Sequence, residues 1–172
     1  TKTRLLKISG VETNTKIGRE FINFSKPFCV IARSTFGLIQ QLVYFIHDKK
    51  KIYFEGGYNS YSFMNQTVYS IFYLKQKKND KITIDEIKDF ETIAELEQFA
   101  KDTKNQDYLN IIKFINTYGD NIFEINKKIK EFLVNDKKDA DIIFTTTHKS
   151  KGLEYEQVIM ADEFISKKEI TK

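Results

Sequence analysis

Short apolar runs alternate with long amphipathic stretches along this chain. The runs are rich in β-branched and aromatic side chains, and they cover residues 3–9, 28–33, 51–55, 141–147 and 157–161. Runs that are apolar at nearly every position are typical of strands buried on both faces of a parallel sheet. A helical spacing of apolar residues lies between the second and third runs, from Leu38 to Ile46. The order strand, helix, strand predicts a βαβ unit over 28–55 and therefore an α/β fold.

The middle of the chain has the pattern of an all-helical segment. Four apolar stripes at helical spacing begin at Met64, Ile93, Tyr108 and Ile122. Capping residues support these helices: Thr83 or Asp85 precedes one predicted helix, Thr92 precedes another, and Gly119 closes a third.

We interpret residues 59–136 as a helical insertion between strands of one sheet. Residues 1–58 and 137–172 are then the first and second parts of a single α/β domain, and lysine-rich stretches mark the boundaries. A separate helical domain is the alternative. We prefer the insertion because apolar strands resume at Asp141, and the first block alone has too few strands to complete a sheet.

The charge of the chain changes this picture little. The net charge of +4 and the pI near 8.9 weakly favour a polyanionic partner, but a solvated lysine-rich surface explains them better on charge alone. Arginines are scarce, since every basic residue other than Arg4, Arg19 and Arg33 is a lysine. Bidentate phosphate contacts are therefore limited, and an arginine at a strand end becomes a candidate.

Cysteine usage and hydropathy limit the compartment. Cys29 is the single cysteine, so it cannot form an internal disulfide, and the run FCVIA predicts a buried thiol in a reducing compartment. Two histidines and one cysteine are too few for a structural zinc site. No apolar run is long enough for a membrane span and no signal peptide is recognisable, so we expect a cytoplasmic protein. Because Thr1 is not an initiator methionine, we expect a piece of a longer protein.

Residues 142–164 carry the most informative pattern, namely a strand, three threonines, the run HKSKGLE and a second strand. Threonine hydroxyls suit phosphate oxygens, and His148 offers a donor to phosphate or a ring on which a base can stack. Gly152 permits close backbone approach or a positive φ at a turn, and Glu154 is an acceptor suited to a sugar hydroxyl. Open α/β sheets bind ligands at the carboxyl ends of their strands, which is where this run lies.

Each of these residues alone has a simpler structural explanation. Threonines commonly fill strands, a lone histidine is usually structural, and Lys149 and Lys151 suit a solvated surface. Only the ordered combination T-x-H-K-x-K-G-L-E before an apolar strand is specific.

That combination resembles motif V of the UvrD/Rep-like superfamily 1 DNA helicases, which residues 145–154 match at nearly every position. Residues 30–35, followed by a predicted helix, resemble the strand of this family that ends in Arg-Thr-Asn. Ser34 keeps the hydroxyl, whereas Thr35 replaces the amide. Residues 52–57 are similar to the strand that ends in Gly-Gly, and the short insertion is most similar to the F-box DNA helicase branch and its bacterial relatives.

The resemblance implies a second RecA-like motor domain with an all-helical insertion, from an ATP-dependent 3′-to-5′ DNA helicase of repair or recombination. It implies ATP and Mg²⁺ as cofactors of the full-length parent, which would be nucleoid-associated in a bacterium. The implied partners are single-stranded DNA and the N-terminal RecA-like domain of the same parent, with no membrane. The implied nucleotide-binding residues are Gly152 and Glu154. The implied DNA-binding residues are Arg33, Ser34, Thr35, Thr147 and His148.

The sequence lacks several parts of a complete motor. No glycine is followed by lysine, so there is no phosphate loop, and motif VI with its arginine would lie beyond Lys172. Asp85-Glu86 opens a predicted helix and Asp162-Glu163 follows motif V, so neither pair suits magnesium in an N-terminal half. Phosphoryl transfer needs a cradle, a metal and an arginine. We therefore expect that this chain alone binds no cofactor and does not hydrolyse ATP.

Two other function classes stay open. The first is a non-enzymatic module that keeps a helicase-like fold for binding nucleic acid or a protein. The second is a hydrolase or nuclease that uses helical carboxylates, and the candidates are Asp85, Glu86, Glu91 and Glu95. Surface solvation explains those carboxylates more simply, because lysines lie near them on the same predicted helices.

Overall fold

The computed structural model describes residues 18–161, except the side chain of Arg19. This part contains four strands: β1 (Phe28–Ala32), β2 (Ile52–Phe54), β3 (Ile142–Thr146) and β4 (Val158–Met160). It also contains six α-helices: α1 (Thr35–Phe45), α2 (Gln66–Lys75), α3 (Asp85–Lys88), α4 (Ile93–Asp102), α5 (Gln106–Tyr118) and α6 (Asn121–Phe132). The strand predicted at 3–9 lies outside the described residues.

The four strands form one sheet in the order β2-β3-β1-β4, and every pair is parallel. The predicted α/β class and the parallel pairing are confirmed. All five residues of β1 pair with those of β3, from Phe28 opposite Ile142 to Ala32 opposite Thr146. The βαβ unit of β1, α1 and β2 therefore spans an intervening strand, since β3 lies between β1 and β2.

One face of the sheet holds the main hydrophobic core. Alternate strand residues such as Val30, Phe54 and Phe144 are buried there together with residues of α1 and of all five helices between β2 and β3. The predicted stripes are confirmed as buried helix faces, with Ile71, Leu96, Ile115 and Ile122 at 0% exposure. None of these helices, nor any other in residues 18–161, is long and apolar enough to cross a bilayer. The boundaries of the insertion stay a prediction.

The predicted helix ends are confirmed in two cases and wrong in one. Thr92 caps α4 by accepting from the backbone N–H of Glu95, and Gly119 ends α5 with a φ of +52°. Helix α3 is preceded by Ile84 and has no side-chain cap. Thr83 instead pairs with the buried hydroxyl of Ser70, Oγ to Oγ1 3.3 Å, because a buried polar group needs a partner.

A smaller core lies on the opposite face of the sheet. Cys29, Ala140 and Ile143 are buried there beneath Tyr155, which belongs to the connection from β3 to β4. The Tyr155 hydroxyl donates to Glu55 Oε1 at 3.0 Å, and Lys137 forms an ion pair with the same oxygen. Burial, followed by the neighbouring Cys29 and Glu55, holds the pKa of the Tyr155 phenol above its ordinary value. The phenol therefore stays a proton donor and anchors this connection to the sheet.

We predict that Tyr155→Phe lowers the free energy of unfolding by about 1 kcal/mol, because Glu55 loses one hydrogen bond and keeps its ion pair. Urea unfolding followed by circular dichroism measures this change. Tyr53→Phe is the matched control, because the Tyr53 hydroxyl makes no hydrogen bond with the described residues. Equal losses in the two variants would contradict the anchoring role.

We predict that Cys29 does not react with a disulfide reagent at pH 8 in the folded chain and reacts fully in urea. Burial raises the pKa of its thiol from 9.0 to about 12, so the reactive thiolate is absent in the fold. Because the folded-state pKa is the higher one, this contribution to stability is complete below pH 9 and decreases as the pH rises towards 12. A colorimetric thiol assay suffices, since the chain has one cysteine. Rapid labelling of the native chain at pH 8 would contradict the burial.

Candidate nucleic-acid interface

The carboxyl ends of β1 and β3 bring two distant segments together. The Thr147 backbone N–H donates to the Ala32 carbonyl oxygen at 2.9 Å, and the Thr147 hydroxyl donates to the same oxygen at 3.3 Å. Arg33 directly follows Ala32, and His148 directly follows Thr147. The five residues that the resemblance implies for DNA, 33–35 and 147–148, therefore lie side by side at one edge of the sheet.

The two side chains most suited to DNA at this edge are exposed. Arg33 takes part in no ion pair within residues 18–161. His148 likewise makes no hydrogen bond with a described residue. A guanidinium without a carboxylate partner and an exposed imidazole can contact phosphate oxygens or stack on bases.

Ser34 and Thr35 have roles in the start of α1. Ser34 is its N-cap, and its hydroxyl oxygen accepts from the backbone N–H of Gly37 at 3.0 Å. Thr35 is the first residue of the helix. The cap fixes the direction of the chain after Arg33, so Ser34 positions the arginine in addition to any contact that it makes itself.

The three threonines at the end of β3 do not share one environment. Thr145 is 0% exposed, and its hydroxyl donates to the carbonyl oxygen of Thr146 at 3.2 Å. The Thr145 hydroxyl is therefore not available to a ligand, although threonine hydroxyls suit phosphate oxygens. Strand side chains alternate between faces, and Thr145 lies where the sheet is covered. Thr147 is exposed, and Thr146 borders the cavity described below.

Gly152 and Glu154, the implied nucleotide residues, lie in the connection between β3 and β4. Gly152 has a φ of +78°, as predicted for a turn, and a β-carbon placed on it would meet no atom within 4 Å. Glu154 is exposed. Neither residue borders the cavity that Arg33, Ser34 and Thr35 border.

Lys149 joins the connection after β3 to the turn after β2. Its ammonium donates to the Ser60 hydroxyl at 2.8 Å and lies 4.7 Å from the centre of the Tyr61 ring. The Tyr61 hydroxyl in turn donates to the carbonyl oxygen of Glu55 at 2.8 Å. Sequence reasoning treated Lys149 as a solvated lysine, because its partners lie about ninety residues away in the chain and only the fold brings them close.

A cavity of about 660 Å³ opens between the edge of the sheet and the helices. Arg33, Ser34, Thr35 and Thr146 border it on the sheet side. On the helical side it is bordered by residues at the starts of α2 and α5, among them Asn65, Thr67, Asn105, Asp107 and Asn110. Sequence reasoning missed these asparagines. Their position before or within apolar helical stripes was the available signal, since Asn is a favoured N-cap.

Three of the four carboxylates of the hydrolase hypothesis are engaged locally. Asp85 pairs with Lys88 at 2.7 Å, which holds the pKa of the exposed Asp85 carboxyl below its ordinary value. Glu86 accepts from the Tyr108 hydroxyl at 2.8 Å, and Glu95 accepts from the Glu91 backbone N–H at 2.9 Å. Within residues 18–161, no three His, Cys, Asp or Glu side chains are grouped to hold a metal ion.

Comparisons with known proteins give no functional assignment, so the residues at the sheet edge and around the cavity are the basis for one. No family model, no curated protein and no solved structure matches the chain.

Proposed function

We propose that this chain is a RecA-like motor domain of an ATP-dependent DNA helicase and that the carboxyl edge of its sheet binds single-stranded DNA. The observation that carries the proposal is the pair of hydrogen bonds from Thr147 to the carbonyl oxygen of Ala32. These bonds hold Arg33 beside His148, although the two residues are 115 positions apart in sequence. Two separately matched motifs thus meet at the edge where parallel sheets bind ligands.

The charge at this edge supports a phosphate backbone as the ligand. Arg33, Lys149 and Lys151 follow the ends of the two central strands, and His148 lies among them. Glu55, the acidic residue after β2, already has Lys137 and Tyr155 as partners on the opposite face. Among the described residues, Arg33, Lys149 and Lys151 have no carboxylate partner, and their positive charge favours phosphate contacts that hold a strand without reading its sequence.

ATP and Mg²⁺ belong to the full-length parent in this proposal. Glu154 is suited to contact the nucleotide, because it is exposed and can accept a hydrogen bond from a ribose hydroxyl. The positive φ of Gly152 turns the chain just before Glu154. When bound, ATP supplies the phosphoryl-transfer chemistry, for which this sequence offers no phosphate loop. We assign the phosphate cradle and the metal ligands to the N-terminal RecA-like domain of the parent.

The connection after β3 is suited to transmit movement between the two contacts. The Ser150 backbone N–H donates to Thr146 at 3.0 Å, and the Leu153 backbone N–H donates to Ser150 at 3.0 Å. The Ser150 hydroxyl also donates to the Thr147 carbonyl oxygen at 3.1 Å. These bonds link the chain just before Glu154 to Thr147 and His148, so in this proposal nucleotide binding at Glu154 alters the DNA contact through this connection.

We predict that His148→Ala weakens single-stranded DNA binding by about 1–3 kcal/mol, or about 5- to 150-fold, because a stacking ring is lost. Fluorescence anisotropy with a labelled oligothymidylate measures the affinity of the 172-residue chain. His47→Ala is the matched control, because His47 is the other histidine, is exposed and follows the far end of α1. Equal affinities of His148→Ala and the wild-type chain would contradict the DNA-binding role.

We predict that Glu154→Gln in the full-length parent lowers DNA-stimulated ATP hydrolysis, while Glu156→Gln leaves it unchanged. Both carboxylates are exposed in the same connection, but only Glu154 belongs to the matched motif, residues 145–154. A coupled assay of phosphate release measures the rates with and without single-stranded DNA. Normal rates in Glu154→Gln would remove this contact. A parent that binds DNA and never hydrolyses ATP would be the non-enzymatic module.

A further inference from the structure

The cavity between the sheet edge and the helices has the dimensions of a ligand site. Its volume of about 660 Å³ lies within the range of about 300–1,000 Å³ that small-molecule sites occupy. Its floor is apolar, since Phe36, Ile39, Phe63 and Phe114 border it and are buried. Its rim is polar. An apolar floor beneath a few polar groups suits a ligand with one flat apolar part and one polar part.

Three asparagines place side-chain NH₂ donors at the rim. The side-chain oxygens of Asn65 and Asn105 each accept from a backbone N–H three residues further on, at 3.0 and 3.1 Å. The side-chain oxygen of Asn110 accepts from Gln106 Nε2 at 3.1 Å. The three amide nitrogens make no hydrogen bond with the described residues. Each asparagine therefore offers its NH₂ donors to a ligand while its oxygen holds a helix in place.

The charges around the cavity also favour an acceptor-rich anion. Arg33 borders it without an ion-pair partner among the described residues. Lys113 lies 5.0 Å from the centre of the Phe36 ring in the cavity floor. Of the described residues that border the cavity, Asp107 alone carries a carboxylate. Proteins commonly bind a phosphate with a guanidinium together with neutral amide donors.

We propose that this cavity receives one nucleotide of the bound strand, with the unstacked base on the apolar floor and its phosphate at the rim. This inference rests on the proposed function. The cavity is continuous with the DNA-binding edge, because Thr146 borders it and directly precedes Thr147 and His148. Arg33 belongs to both surfaces. A strand that lies across His148 therefore passes the mouth of the cavity, which favours a nucleotide within a strand over a free mononucleotide.

The double variant Asn65→Asp, Asn105→Asp tests the cavity. Asp is as good an N-cap as Asn, so both helices keep their caps while two donors are lost and two negative charges face the phosphate. We expect at least about a tenfold loss of affinity for a labelled oligothymidylate, measured by fluorescence anisotropy on the 172-residue chain. Asn121→Asp, in the first turn of α6 and away from the cavity lining, is the control for added charge and stays within about twofold.

A second probe reports the position of the base. The oligonucleotide carries a single 2-aminopurine, whose fluorescence rises when the base leaves the stack. We expect this rise on binding to the wild-type chain and to Asn121→Asp, and none with the double variant at saturating protein. The melting temperature of the double variant, followed by circular dichroism, checks that its fold is kept.

The outcomes separate this inference from the proposed function. DNA binding that depends on His148 but is unchanged in the double variant would overturn the cavity alone. A wild-type chain that binds no single-stranded DNA would overturn both proposals. Thymidine monophosphate that binds the wild-type chain as tightly as the strand, with only that binding weakened in the double variant, would overturn capture from a strand. Loss of both affinity and fluorescence rise in the double variant supports the inference.

Discussion

The parallel pairing of β1 with β3 is the constraint on which the rest of this structure depends. The pairing is in register from Phe28 opposite Ile142 to Ala32 opposite Thr146, and buried residues of both strands lie on each face of the sheet. Parallel strands end at the same edge, so the residues after Ala32 and those after Thr146 become neighbours. If β3 paired with β1 one residue out of register, every side chain of β3 would move to the opposite face of the sheet. The hydrophobic pattern thus secures the position of the candidate site as well as the fold.

The helices between β2 and β3 add the second half of the candidate site. They bury their stripes on the main core of the sheet, and this leaves the starts of α2 and α5 facing the edge beyond β1 and β3. A helix start needs acceptors for its first N–H groups, and Asn65 and Asn105 supply them. The same amides keep donors for a ligand, so one residue type serves the fold and a prospective binding surface together.

The predictions made from local sequence pattern are confirmed where the structure depends on neighbouring residues or on burial alone. The stripes that begin at Ile93 and Ile122 are buried helix faces, and Cys29 is buried within an apolar strand. Predictions failed where a distant partner decides. Thr83 pairs with Ser70 and does not cap α3, because the buried Ser70 hydroxyl requires a partner. Lys149 binds Ser60 and is not simply solvated, because the strand order β2-β3 places these two loops together.

The sequence by itself determined the class of the fold and its buried helix faces, and it supplied candidate residues for a DNA contact, because periodicity and motif order are properties of adjacent positions. Only the tertiary structure decided which of those residues meet. It placed Arg33 beside His148 and buried Thr145. It kept Gly152 and Glu154 away from the cavity. It also brought the asparagine caps of two helices to the sheet edge. The physical reason is that strand order and helix packing set long-range neighbours, and neither is encoded in any single segment.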